Sequence, residues 1–363
     1  MINRILLFGG TFDPIHYGHM GLLDIVSRQL NIDDVFLIPT KQPPWKSQMA
    51  PLEHRLEMVR LALPDSRYHV CTYEIEQEGI NYSIDTVKHF KELYPTSDIY
   101  YLIGTDQAAL FHEWKDALNL SRLAHIVVYN RLGYQLPRAN VETYRMMVIE
   151  GKRFEISSTD IRALKCLDTP WPVIDYILDH DLYFTAKLSS YYEPKRLKHV
   201  RSVAKLAYDI AVSNKENGSK AAIAGLLHDI GKLGNQKEYL KLLIEEDPKL
   251  ANVPSFSIHQ YAGAYLARKD FGIDDEEILD AIAYHASGKP NMNWLGEIIY
   301  SADKIEPLRG FDSKSLIESC MADSHQGFID VLRANYEYHT EIGKPFKYHL
   351  TAEAMKYYLG EHE

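Results

Sequence analysis

The sequence predicts an α/β domain built on a parallel sheet, residues 1–187, followed by an all-α domain, residues 188–363. Its length of 363 residues suits two domains of roughly 100–200 residues each. The first half alternates short apolar runs with segments of helical spacing, as parallel strands joined by crossover helices do. Past Leu188 strand-like runs nearly vanish, and polar and turn residues gather in the LSSYYEP stretch around Lys187–Glu193.

Taken in order, Ile5–Phe8 is a compact strand ending at Gly9-Gly10. Helical spacing then runs through Met20, Leu22, Leu23, Ile25, Val26 and Leu30. Val35–Ile38 is the next strand, stopped by Pro39. Further strands are expected at His69–Tyr73, Ile99–Ile103 and His125–Tyr129, and helices at Leu52–Leu63, Ser83–Leu93 and Asp106–Trp114. In the second half Leu197, Val200, Val203, Ala204, Ala207, Ile210 and Ala211 share one helix face. Ala221–Ile230 and Ile278–Tyr284 are apolar almost all round, which predicts buried helices.

Composition narrows the function. Hydrophobic residues make up 46% and charged residues 25%, near the globular average. Cys71, Cys166 and Cys320 are odd in number and far apart, which argues against a disulfide framework and for a reducing compartment. The opening MINRILLFGG holds too short an apolar run for a signal peptide. No stretch approaches the ~18 apolar residues of a membrane span. A cytoplasmic protein without a membrane partner is therefore expected. The net charge of −10 is shared between two acidic halves, so no general nucleic-acid partner is expected, and any phosphate should bind at a local site.

One such site is the segment from Gly9 to His19, which follows a strand and opens a helix. Gly9 and Gly10 let the backbone approach a ligand closely. A helix start offers free N–H groups and a positive dipole end. His16 and His19, with Gly18 between them, can aim two imidazoles at one phosphate chain. The carboxyl ends of parallel strands are also where open sheets bind ligands.

This segment, Thr11-Phe12-Asp13-Pro14-Ile15-His16-Tyr17-Gly18-His19, resembles the signature of the nucleotidyltransferase superfamily. The wider half resembles its nicotinate-nucleotide adenylyltransferase branch through Lys41–Lys46, Asn81–Val87, Ile103–Asp106, Trp114-Lys115 and Ile156–Arg162. The resemblance implies a Rossmann-like fold and transfer of AMP from ATP to nicotinate mononucleotide, with pyrophosphate leaving as its Mg²⁺ complex. It places Gly9, Gly10, Thr11, Phe12, His16, His19, Asp106, Ser158, Thr159 and Arg162 at ATP. His16 and His19 would hold the phosphates, and Arg162 would act as a charged clamp. Lys46, Thr86 and Trp114 would meet the nicotinate nucleotide, Trp114 by stacking. Trp45 stands where the family usually has histidine.

A second constellation lies in the helical half. His228-Asp229 follows the apolar AAIAGLL run, where burying an imidazole and a carboxylate is costly unless they bind each other or a metal. Asp303 and His285 sit likewise at apolar positions, and His199 at the edge of an apolar stripe. Such a donor set suits iron, manganese or zinc better than calcium.

The pattern His199, His228-Asp229, His259, His285, Asp303 resembles the HD-domain phosphohydrolases. It is closer still to a bacterial branch that hydrolyses diadenosine tetraphosphate symmetrically to two ADP, through His228–Lys232, Tyr284-His285, Gly288 and Ala302–Arg309. Ala286-Ser287 departs from that branch's threonine-rich segment. The resemblance implies one or two ions, Fe or Mn, generating a hydroxide. His199, His228, Asp229 and Asp303 would hold the first ion, and His259 and His285 the second, with Asp229 bridging. Lys232 and Arg309 would meet phosphate, with Asp229 and Lys232 taking part in catalysis.

A bifunctional nucleotide enzyme is the resulting expectation. The alternatives are another acceptor such as pantetheine phosphate in the first half, and another nucleotide or a regulatory module in the second.

Overall fold

The computed structural model describes residues 3–41, 49–79, 81–131, 135–152, 154–344, 346 and 348–360. It divides into two compact units, Met1–Thr159 with Asp168–His180, and Asp160–Leu167 with Asp181–Glu363.

The first unit is built on six parallel strands: β1 (Arg4–Gly10), β2 (Asp34–Pro39), β3 (Tyr68–Val70), β4 (Asp98–Gly104), β5 (His125–Arg131) and β6 (Met147–Gly151). Their order is β3-β2-β1-β4-β5-β6. The chain lays strands outward from β1, returns to the centre for β4, and then works outward the other way. The reversal puts a crevice beyond the carboxyl ends of β1 and β4, where Gly9-Gly10 and Gly104 lie. Ile5, Leu6 and Leu7 of β1 and Ile99, Leu102 and Ile103 of β4 are enclosed, which explains their unbroken apolar runs. One side of the sheet packs on Ile84, Val87 and Phe90, from a helix whose bounds are those expected, Ser83–Leu93.

Three expectations change. The strand expected at His69–Tyr73 pairs only over Tyr68–Val70, and Tyr73–Glu76 is a helical turn closed by Thr72 Oγ1 donating to Glu76 Oε1 at 2.6 Å. The helix expected at Asp106–Trp114 divides into Thr105–Ala109 and a 3₁₀ turn, Phe111–Glu113. The edge strand β6 was not anticipated, because its one deeply buried residue, Ile149, leaves no period to see.

The second unit is helical. Helix Pro194–Ser213 packs on Gly218–Leu227 and Trp294–Ile305, and Glu276–Tyr284 packs on Ile258–Phe271 and on both of those. Gly218–Leu227 starts where Asn217 accepts from the Lys220 N–H, and Glu276–Tyr284 where Asp275 accepts from Glu277 and Ile278. Each of these two helices stops one residue before a histidine, His228 and His285. The apolar run to Ile230 thus outlasts its helix by a turn that carries chemistry. Among the described residues no helix is long and apolar enough to cross a membrane.

Candidate functional site

In the first unit, His16 caps helix Tyr17–Leu30 in an extended conformation. Its backbone N–H donates to His19 Nδ1 at 3.3 Å, so a neutral His19 carries its proton on Nε2. The two rings stack with centroids 3.7 Å apart. A Cβ on Gly18 would come within 2.9 Å of His16 Nδ1, which gives the glycine of His-x-Gly-His a steric reason. Phe12, enclosed, forms a T-shaped pair with His19, ring centroids 5.2 Å apart. Ser158 Oγ donates to Pro14 O at 2.9 Å, and Thr169 Oγ1 to Ile15 O at 2.8 Å, bracing the loop from behind.

Beside this pair lies a cleft of about 600 Å³. Of the expected residues, Gly9, Gly10, Thr11, His19, Asp106 and Trp114 line it. Phe12 and His16 stand behind its wall. Thr86 is also enclosed, donating through Oγ1 to Glu74 Oε1 at 2.8 Å, and it is Glu74 that faces the cleft. Burial pushes the Glu74 carboxyl up, and the Thr86 hydrogen bond partly offsets that. Thr159 is exposed, and Arg162 ends the helix Ser158–Arg162, within the second unit. Lys46 and Trp45 lie outside the described residues.

Sequence reasoning missed Glu74, Ser83, Tyr101 and Tyr129 in the cleft wall, and Arg55 beneath it. Arg55 is 1% exposed and donates to Thr11 O at 2.7 Å, Thr40 O at 3.0 Å and Ala50 O at 3.2 Å. A fully buried guanidinium spent on three carbonyls fixes the glycine-rich loop against its neighbours.

In the second unit all six expected ligands converge. His228 Nδ1–H donates to Gly225 O and His285 Nδ1–H to Ile282 O, both at 2.8 Å, so each ring caps a carbonyl three residues back and turns Nε2 inward. His199 Nδ1 faces Glu306 Oε1 at 3.0 Å, which orients it the same way. Asp229 divides its oxygens: Oδ2 lies 3.5 Å from His228 and 3.9 Å from His199, Oδ1 3.4 Å from His285 and 3.8 Å from His259. Asp303 Oδ1 joins the first pair at 3.2 Å from His199 and 3.6 Å from His228. A Cβ on Gly231 would meet His259 O at 2.2 Å, so only glycine lets the turn after Asp229 press this close to helix Ile258–Phe271.

Cations surround the cluster. Arg196 lies 2.8 Å and Lys232 3.2 Å from Asp229, and Lys304 and Arg309 hold Asp303. Burial by itself would raise the Asp229 carboxyl, but His228, His285 and Lys232 hold it well below the ordinary range. Burial pushes His259 down to about 3, helped by His285 and Lys232, so its ring is neutral at physiological pH.

The resemblance to HD-domain phosphohydrolases implies a divalent metal, and the donors fit one. His199, His228 and Asp229 form one group with ligand atoms within 4.8 Å of one another, and Asp229, His259 and His285 a second. The Nε2 atoms of His199, His228 and His259 are buried without hydrogen-bond partners, a cost that a coordinated ion removes. Glu306 was missed as a positioning group because a glutamate just beyond a helix end reads as surface.

Residues 7–164 match the cytidylyltransferase-like family model and residues 196–308 the HD domain model. A Mycoplasma genitalium protein described as a probable nicotinate-nucleotide adenylyltransferase/Ap4A hydrolase is 30% identical over 345 residues, covering 92% of this chain and 98% of that protein. A Mycoplasma pneumoniae protein of the same description is 30% identical over 332 residues, covering 88% and 95%. A Clostridium acetobutylicum crystal structure, described as a predicted HD superfamily hydrolase involved in NAD metabolism, is 34% identical over 48% of this chain and 96% of that one, with a TM-score of 0.43. With two relatives matched along nearly their whole length, this chain belongs to the family of nicotinate-nucleotide adenylyltransferase/Ap4A hydrolase proteins, a cytidylyltransferase-like domain joined to an HD domain.

Proposed function

We propose that residues 1–187 transfer the adenylyl group of ATP to nicotinate mononucleotide, and that residues 188–363 hydrolyse diadenosine tetraphosphate to two ADP. The Mycoplasma relatives' descriptions support this pairing of activities.

For the transferase, a phosphate oxygen of nicotinate mononucleotide bonds to the α-phosphorus of ATP. The bond to the β-phosphate oxygen breaks, and pyrophosphate leaves with Mg²⁺. The protein supplies position and charge stabilisation rather than a nucleophile. The single observation that supports His19 in this role is its ring on the cleft wall, anchored through Nδ1 by the His16 N–H, so that the Nε2 edge would be the one to meet phosphate oxygen. Gly18→Ala is expected to lower the transfer rate about 10–100-fold, because the methyl displaces the His16 ring. Its melting temperature should hold, since alanine favours the helix by roughly 0.5–1 kcal/mol. Steady-state rates and a thermal melt check both.

For the hydrolase, the supporting observation is Asp229, with one oxygen toward each pair of imidazoles. When bound there, divalent ions acidify water and neutralise phosphate charge. Water oxygen bonds to the second phosphorus and the bond from that phosphorus to the central bridging oxygen breaks, so one ADP leaves with the bridging oxygen while the other keeps the water oxygen, and the water protons are released. Lys232 and Arg309 stand beside the carboxylates to receive the charge that grows on phosphate.

A nucleotide panel tests both halves. The full chain, loaded in turn with Mn²⁺, Fe²⁺, Co²⁺ and Mg²⁺, is given ATP with nicotinate mononucleotide or pantetheine phosphate, and separately diadenosine or guanosine tetraphosphate. Nicotinate adenine dinucleotide and ADP are the expected products. AMP with ATP from the tetraphosphate would reject symmetrical cleavage, and preference for pantetheine phosphate would reject the acceptor.

A further inference from the structure

A cleft of about 950 Å³ opens onto the HD ligand cluster, with His199 and His259 in its wall. Lys195, Arg196, Lys198, Lys232 and Arg309 also line it. Arg196, Lys232 and Arg309 already hold carboxylates of the cluster. Lys195 and Lys198 are exposed and make no ion pair among the described residues. Lys195 stands in the first turn of Pro194–Ser213, where the helix dipole disfavours a cation, and Lys198 follows one turn on. Helix stability gives Lys195 no role there, and a polyanion in the cleft would give both lysines a partner.

The same cleft carries an apolar surface. Phe256 is 58% exposed, on the 3₁₀ turn Ser255–Ser257, three residues before His259. Leu308, 63% exposed, and Leu233, 41% exposed, also line the cleft. An aromatic face beside cations and metal ligands suits a molecule with a flat ring at one end and phosphates at the other.

We propose that Phe256 stacks on a nucleobase while Lys195 and Lys198 bind phosphates outside the reacting bond, making this cleft a nucleoside-polyphosphate site. The proposal deepens the hydrolase reading and rests on it for the complete substrate.

The test uses the full chain loaded with Mn²⁺. Phe256→Ala should raise KM for diadenosine tetraphosphate about tenfold, leave kcat nearly unchanged, and leave inhibition by inorganic tripolyphosphate unchanged. Lys195→Glu with Lys198→Glu should weaken tripolyphosphate inhibition about tenfold. An unchanged KM in Phe256→Ala, or equal losses toward both ligands, would overturn the base contact. Unchanged tripolyphosphate inhibition in the double variant would overturn the phosphate contact. Binding is read independently of turnover in Phe256→Trp. Its emission, less that of the native chain, should change with ADP and not with tripolyphosphate, and no change with ADP overturns the proposal. A native chain that leaves diadenosine tetraphosphate intact while Phe256→Trp responds to ADP sinks the substrate reading alone.

Discussion

Asp229→Asn is expected to reduce hydrolysis about 10³-fold or more while the transferase rate on the same sample is unchanged. The substitution keeps the shape and removes the charge that both imidazole pairs share. Losing outer-shell partners alone weakens metal binding about 10–100-fold, and a shared ligand should cost at least the upper value. The lost metal chemistry is worth several kcal/mol of transition-state stabilisation, or about three decades in rate. The fold should survive. Arg196 and Lys232 would lose a partner, but each side chain is 37% exposed and can turn to water. Elemental analysis, both rates and far-ultraviolet circular dichroism on one preparation check this. Native metal content with native hydrolysis would remove Asp229 from the site.

How much of this was legible in the sequence depended on whether a residue's environment left a local mark. β1 and its glycine pair were legible because an apolar run buried on both faces stands out against the polar loop that follows. His228-Asp229 was legible because two ionisable groups interrupt an apolar segment. Arg55 left no mark: a helix over Leu52–Ala62 has arginines at 55 and 60, and spacing alone does not show that the first is enclosed and the second exposed. Glu74 lies among Glu76 and Glu78 and reads as part of an acidic surface turn, yet tertiary packing buries it against Thr86. The short β3 failed for a related reason. Its edge position needs only three paired residues, so the apolar signal that would mark its end is absent.

His19→Ala is the corresponding expectation for the transferase: a loss of about 10²–10³-fold in kcat with a smaller change in KM. An imidazole N–H placed for charge that develops during transfer is comparable to one donor of an oxyanion hole, whose removal costs that much. The ring's position is set by its own helix. Its Nδ1 accepts from the His16 N–H, its face stacks on His16, and it forms a T-shaped pair with Phe12. Removing the ring therefore leaves the His16 N–H without this acceptor and the Phe12 ring without its T-shaped neighbour. A stability cost of about 1–2 kcal/mol follows from these losses, too small to unfold the domain. His19→Asn separates the two effects. Its side-chain oxygen can accept from the His16 N–H, the reciprocal bond of a capping box, but its amide does not reach where Nε2 stood. Stability should then recover while kcat stays low. Recovery of kcat in His19→Asn, or native kcat in His19→Ala, would show that the ring braces the loop and leaves the phosphates to other groups.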